Sequence, residues 1–368
     1  MNTPTRCQRN PLWFFLLFLA VTFPAASSVF IPASHPHIAY IGRVSFADPE
    51  APCFTYPGVQ IRAIFEGTSL GVAMKPNSGY FMVEIDRLPP FKIAFGENDF
   101  VRTVRTGLPE GRHEVRLTLV YEGYLRRPAF RGFLLDEGKT LPASPRLPAR
   151  KIEFIGNSIT AGYGLETDDP KAPFRDETEN HFYTYAALTA RAFDALSQVV
   201  ARSGIGIYRN YAGPAGGSPD CMAARYTQTL FNDSTETWDF SRYTPDVVCV
   251  NLGTNDTSTG AYDAMLLETA YCRFHQRLRG YYPQAKIVWL SGCMLSGKRL
   301  QDVRRALDRV VAEATAAGDS AVYRFDLTPS DGSLGYGASW HPSKAQQARS
   351  ASELIGFLQS LTGWHVVR

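Results

Sequence analysis

Most of what is scarce in this 368-residue chain excludes something. Charge of one sign is lacking: 38 Lys and Arg stand against 35 Asp and Glu, a formal net charge of +3. Two of those arginines, Arg6 and Arg9, lie close to the N-terminus. A near-neutral surface has no electrostatic footprint for nucleic acid or an anionic membrane, so a neutral partner is expected. Cysteine is sparse and scattered. Beyond Cys7, the residues Cys53, Cys221, Cys249, Cys272 and Cys293 form an odd set with no disulfide framework and no zinc-ligand spacing. Cys249, inside "DVVCVNLG", reads as a buried strand residue, and one bridge, Cys272 to Cys293, is allowed. A bilayer-spanning apolar run is missing at the N-terminus too: the stretch from Leu12 to Phe23 is too short to cross. With arginines before it and small residues after it, that stretch has the layout of a secretory leader. The expectation is a leader over residues 1–28 and a secreted or periplasmic chain without membrane attachment once it is removed.

Helical periodicity is absent from residues 33–145, where short β-rich runs follow one another. "HIAYIGRVSF", "GVQIRAIFEGTSLGVAM", "GYFMVEID", "FKIAFG" and "HEVRLTLVYEG" partly alternate polar with apolar, and turn residues punctuate them. The pattern predicts an all-β sandwich. "LPASPRLPAR" then acts as a short Pro-rich connector. From residue 150 to 368 the grammar changes. "KIEFIG", "SQVVARSG", "DVVCVNLG", "KIVWLSG" and "AVYRFDL" read as strands. The helix-like "ENHFYTYAALTARAFDAL", "AYDAMLLETAYCRFHQRLRGYY", "RLQDVRRALDRVVAEATAAG" and "SKAQQARSASELIGFLQSL" intersperse them. Five such strands predict a parallel sheet covered on both faces, an α/β domain. In such sheets ligands bind beyond the carboxyl ends of the strands, so reactive side chains are sought there.

Four segments qualify. Ser158 follows the first strand and "SGIG" (203–206) the second; "GTND" (253–256) follows the third and "GASWHPS" (337–343) precedes the last helix. A serine hydroxyl needs an adjacent base to become a nucleophile, and His341 is the available one. The tetrahedral oxyanion needs preorganised donors, which the Ser158 N–H, the Gly204 N–H and the Asn255 amide would supply. Gly206 competes closely with Gly204. Trp340 and Tyr163 are candidate apolar walls for a sugar ring, and Trp238 is a weaker one. The acidic run Asp168, Asp169, Asp176, Glu177 and Glu179 reads as a solvated loop, although a glycosidase would want two such carboxyls. No metal or organic cofactor is required.

The blocks "GNSIT", "SGIG", "GTND" and "WHP" resemble the SGNH (GDSL-type) hydrolase superfamily, in which Ser, Gly, Asn and His come from four blocks in this order. With "FEGTSLGV", "LPEGRHEVRL" and "YRNYAG", the chain is similar to carbohydrate esterase family 2 over nearly its whole length after the leader. The resemblance implies a jelly-roll sandwich before an SGNH-type three-layer domain with a five-stranded parallel sheet. It also implies a Ser158–His341 acetyl esterase acting on acetylated plant polysaccharide or its oligosaccharides. The expected chain is a monomer, and sugar hydroxyl esters, the 6-position among them, are the expected targets. Two positions depart from the superfamily spelling. Asn157 stands where Asp is common. Ser339 stands two residues before His341, where an Asp usually fixes the imidazole; some members of family 2 use a main-chain carbonyl instead. A lipase or thioesterase on the same machinery, and a carbohydrate-binding protein without catalysis, are the alternative readings.

Overall fold

The computed structural model describes residues 28–367. The expected leader falls outside them but for Ser28. Nine strands come first: β1 (Ser28–Pro32), β2 (Ala39–Ile41), β3 (Gln60–Gly67), β4 (Leu70–Met74), β5 (Gly79–Ile85), β6 (Phe91–Phe95), β7 (Val101–Arg105), β8 (Gly111–Leu119) and β9 (Phe130–Asp136). They form two antiparallel sheets, ordered β1-β9-β4-β7 and β2-β3-β8-β5-β6. Period-2 patterning produces the core. On the β3–β8 pair, Ile61 faces Leu117, Ala63 faces Val115 and Phe65 faces His113, all pointing inward and buried. Each large apolar side chain so buried contributes about 1.5–3 kcal/mol. The sequence reading has no strand at β1, β7 or β9. β7 buries only Val104 and so lacks alternation. β1 makes the sandwich begin before residue 33, because it pairs with β9 from Ser28 to Pro32.

The second unit contains β10 (Lys151–Gly156), α1 (Ser158–Ala161), α2 (Tyr185–Ala192), β11 (Leu196–Ala201), α3 (Met222–Arg225), β12 (Val247–Leu252), α4 (Ala264–Tyr281), β13 (Lys286–Ser291), α5 (Gly297–Ala316), β14 (Val322–Asp326) and α6 (Lys344–Thr362). Its sheet is parallel throughout, ordered β11-β10-β12-β13-β14. Burial on both faces explains the continuous apolar spelling of β12. Val248, Val250 and Leu252 pack with α4 and α5, whereas Val247 and Cys249 pack with α2 and α6. The helix expected over 179–196 is shorter: its first residues form a buried 3-10 turn, and Thr184 caps α2 by accepting the Ala187 N–H. Asn180 and Thr184, both capping residues, interrupt what periodicity reads as one helix.

The allowed Cys272–Cys293 bridge is not present. Cys272 packs on the α4/α5 face of the sheet and Cys293 on the α2/α6 face, so the sheet separates them. All five described cysteines are free. The two units join through buried groups: Arg43 after β2 donates to the Gln228 carbonyl at 2.9 Å and lies 3.4 Å from Glu153 of β10. Glu153 also accepts from Gln198 at 2.8 Å and from the Tyr226 hydroxyl at 2.6 Å. Among the described residues no helix is long and apolar enough to cross a membrane.

Candidate active site

Strand register brings the blocks together. Gly156, the last residue of β10, pairs with Ala201 on one side and Asn251 on the other. Ser158, Gly204 and Asn255 therefore leave the carboxyl ends of three adjacent strands. Ser158 opens α1, a four-residue turn whose N-cap Asn157 accepts the Ile159 N–H at 3.0 Å through its side chain. Asn157 thus supports the turn. Gln347 of α6 donates to the Ile159 carbonyl at 2.9 Å and holds the turn from behind.

His341 Nε2 lies 2.9 Å from Ser158 Oγ. Its Nδ1 faces two main-chain carbonyls, Ala338 at 3.1 Å and Ser339 at 3.2 Å. Those acceptors place the proton on Nδ1 and leave Nε2 to accept from the serine hydroxyl. The Ser339 hydroxyl does not take part; it points to Tyr163 Oη at 3.3 Å and the Ala172 carbonyl at 3.4 Å. What turns the carbonyls back toward the ring is backbone shape. Ser339 and Trp340 are consecutive non-glycine residues at φ 49° and 61°. Such left-handed residues cost about 1–3 kcal/mol each. The turn rests on Gly164, where an added Cβ would come 2.4 Å from the Ala338 side chain. Tyr163 stacks on the imidazole, ring centroids 4.0 Å apart. Burial lowers the His341 pKa to about 4, and the two carbonyl bonds only partly oppose this.

The two candidate glycines differ in how their N–H groups are engaged. The Gly206 N–H donates to Asn210 Oδ1 at 3.2 Å, whereas the Gly204 N–H has no partner among the described residues. Gly204 has φ +78°, a conformation that glycine adopts without strain. Asn255 spends one amide hydrogen on the Ile205 carbonyl at 2.8 Å and keeps the other. Asp256 clamps the second block to the third: its carboxylate accepts the N–H groups of Gly253, Ile207, Tyr208 and Arg209 at 2.9–3.1 Å.

Trp340 is 56% exposed beside His341, as a sugar wall requires. Tyr163 is half-buried, its ring against His341. Trp238 is excluded: it is buried against Leu196, at the opposite end of the sheet. The acidic run divides. Asp168 and Asp169 are exposed, but Glu179 is fully buried between the domains, which corrects its reading as a solvated side chain. Sequence reasoning missed Tyr211, 63% exposed, whose N–H donates to the Gly204 carbonyl at 2.8 Å. It also missed Phe174, which packs on Tyr163 at 4.6 Å. Tyr211 lies in "YRNYAG", so the signal was an aromatic close behind an oxyanion block. Among the described residues no group of three or more His, Cys, Asp or Glu converges as a metal site.

Comparison with known proteins matches the geometry. Residues 40–145 fit the family model described as carbohydrate esterase 2 N-terminal. Residues 154–349 fit the GDSL-like lipase/acylhydrolase family. An acetylxylan esterase/glucomannan deacetylase of Cellvibrio japonicus is 30% identical over 341 residues, 91% of each chain. The chain belongs to carbohydrate esterase family 2. The cellulase/esterase CelE of Acetivibrio thermocellus is 38% identical over 335 residues, covering 90% of this chain and 40% of that longer protein. The solved structure of a family two carbohydrate esterase from Clostridium thermocellum, in complex with cellohexaose, superposes with a TM-score of 0.81 at 37% identity. It covers 89% of this chain and 99% of that one. A family two carbohydrate esterase structure from Cellvibrio japonicus gives a TM-score of 0.80 at 28% identity, covering 92% of this chain and 99% of that one. The family's two parts match the sandwich and the parallel-sheet unit here.

Proposed function

We propose that the protein is a secreted carbohydrate O-acetyl esterase working through a covalent acetyl-enzyme. The carrying observation is the 2.9 Å contact between His341 Nε2 and Ser158 Oγ at the ends of the sheet strands. Ser158 Oγ attacks the acetyl carbonyl while His341 takes its proton. The oxyanion rests on the N–H groups of Ser158 and Gly204 and the spare amide hydrogen of Asn255. Collapse breaks the ester bond, and His341 hands its proton to the departing sugar oxygen. Water then attacks the acetyl-enzyme with His341 again as base, releasing acetate. The ring need not carry a carboxylate partner, because the two carbonyls orient it throughout. They stabilise the imidazolium less than a carboxylate would, which is consistent with the lowered His341 pKa.

The substrate is acetylated polysaccharide such as xylan or glucomannan, or oligosaccharides from it. The relatives' names support this class, and exposed Trp340 and Tyr211 beside the reacting groups suit the apolar face of a sugar ring. The short leader-like N-terminus supports export. The test measures acetate release from acetylated xylan and glucomannan by wild type and Ser158→Ala. Release by wild type and near-zero release by the variant is expected; equal release from both would overturn the reading. A preference for long-chain over acetyl 4-nitrophenyl esters would move the protein to lipid chemistry.

A further inference from the structure

Two carboxyl groups that the acyl-transfer steps do not use lie buried where the domains meet, beside the oxyanion segment. Glu122 follows β8 of the sandwich, and Glu179 lies between α1 and α2; both are closed off from solvent. Glu122 Oε1 accepts the Ser203 N–H at 2.6 Å, and Ser203 immediately precedes Gly204. Glu179 Oε2 accepts the Glu122 N–H at 3.0 Å. That bond sets the two buried carboxyl groups next to each other. Glu179 Oε1 is buried and meets no N–H or hydroxyl donor among the described residues.

Two adjacent carboxylates in a dry site repel and lose hydration, so one of them is an acid. The proton belongs on Glu179. Its Oε1 has no donor to stabilise a charge, and burial followed by the neighbouring Glu122 charge raises its pKa well above the usual range. Burial also raises Glu122, but the Ser203 N–H and Arg202 favour its charged form. The surrounding charges do not reverse this assignment. Arg202 lies over Tyr124 and Phe231 on the Glu122 side. Asp176, paired with Arg126, faces Glu179 and adds negative charge. Tyr121 alongside is a neutral phenol whose pKa burial pushes far up.

We propose that Glu122 and Glu179 form an acid pair that positions the oxyanion hole. The sandwich's Glu122 carboxylate, oriented by a Glu179 hydroxyl, holds the Ser203 N–H and so keeps Gly204 turned toward the substrate oxygen. This rests on the Ser158–His341–Gly204 reading above. The sandwich then contributes to the rate of the chemistry as well as to cohesion. Because Glu179 is raised, it keeps its proton at neutral pH and the pair is intact there. It fails as pH rises through that raised value, when a second negative charge enters the dry site.

The test uses the full chain with 4-nitrophenyl acetate. Glu122→Ala is expected to lower kcat by roughly 10- to 100-fold with KM within about twofold. Glu122→Gln, whose amide oxygen still accepts the Ser203 N–H, should recover most of that rate. Glu179→Gln carries a permanent N–H donor, so it should match wild type at neutral pH and keep its rate at alkaline pH, where wild type declines. This arm decides the matter even if Glu122→Ala does not fold. A folded Glu122→Ala with wild-type kcat, or a Glu179→Gln with the wild-type alkaline decline, would overturn the proposal. Ser158→Ala separates the two readings: if it is active, both fall; if it is inactive while the glutamate variants are unaffected, only the acid pair falls.

Discussion

The sandwich touches the parallel sheet through two buried glutamates, and their surroundings differ in kind. Glu153, on β10, faces a guanidinium, a phenol hydroxyl and an amide, all able to donate to it. Glu122 faces a second carboxyl and accepts the backbone N–H of Ser203, next to Gly204. The first is a matched charge whose neighbours hold two domains together. The second is a pair of carboxyls one residue from Gly204, proposed above to position the oxyanion hole. Buried charge near a domain joint therefore has two uses here, and which donors surround the carboxyl distinguishes them.

That contrast can be broken by experiment. Glu153→Ala leaves the Arg43 guanidinium buried without its anion, so it should cost about 3–5 kcal/mol of unfolding free energy. Denaturant unfolding would read this, and kcat of the folded fraction should stay unchanged; a fall in kcat without loss of stability would reverse the two roles. Asn255→Ala should lower kcat roughly 100- to 1000-fold through the lost oxyanion donor. Its stability cost, from the Ile205 carbonyl left without that bond, should be only about 1 kcal/mol.

The pH dependence has a fixed sign. His341 must be neutral to act as base, and burial lowers its pKa to about 4, so kcat/KM should hold in mild acid and fall through about pH 4. His181, buried beside the Thr160 carbonyl, is also lowered to about 4 from an ordinary value of 6.5. Both rings gain a proton more easily when unfolded. Stability is therefore full above about pH 6.5 and drops as pH falls toward about 4. Unfolding free energies across that window would check this, and flat stability would mean that the rings are hydrated. Smallest of all is Ser339→Gly, which relieves a φ of +49°. Stability should change by less than about 1 kcal/mol and kcat by less than about threefold, since carbonyls and not the hydroxyl orient His341. A large loss of kcat would give the hydroxyl that role.

Much of this was legible in residue order. Apolar runs such as "DVVCVNLG" point to a two-faced sheet, and the strand-end rule directs attention to Ser158, Gly204 and Asn255. His341 follows because an activated serine needs a base. Other features depend on through-space arrangement. Nothing local tells that the Ser339–Trp340 turn is left-handed, since glycine is the usual marker and neither residue is one. Glu179 sits in an acidic run whose members Asp168, Asp169 and Glu177 are exposed, so composition reads it as solvated. Only the approach of the sandwich loop at Glu122 buries it. The order of β11 ahead of β10 in the sheet likewise has no spelling in the sequence, yet it is what sets Gly204 beside Ser158.

The central claim is that Ser158 carries the acetyl group between two half-reactions. Rapid acid quenching of the enzyme during turnover of 4-nitrophenyl acetate, followed by peptide mass spectrometry, measures this directly. The account predicts one acetyl group on Ser158 within "IEFIGNSITAGYG", and none on that peptide in Ser158→Ala. An acetyl group on a different residue, or full turnover by Ser158→Ala with no adduct, would contradict it.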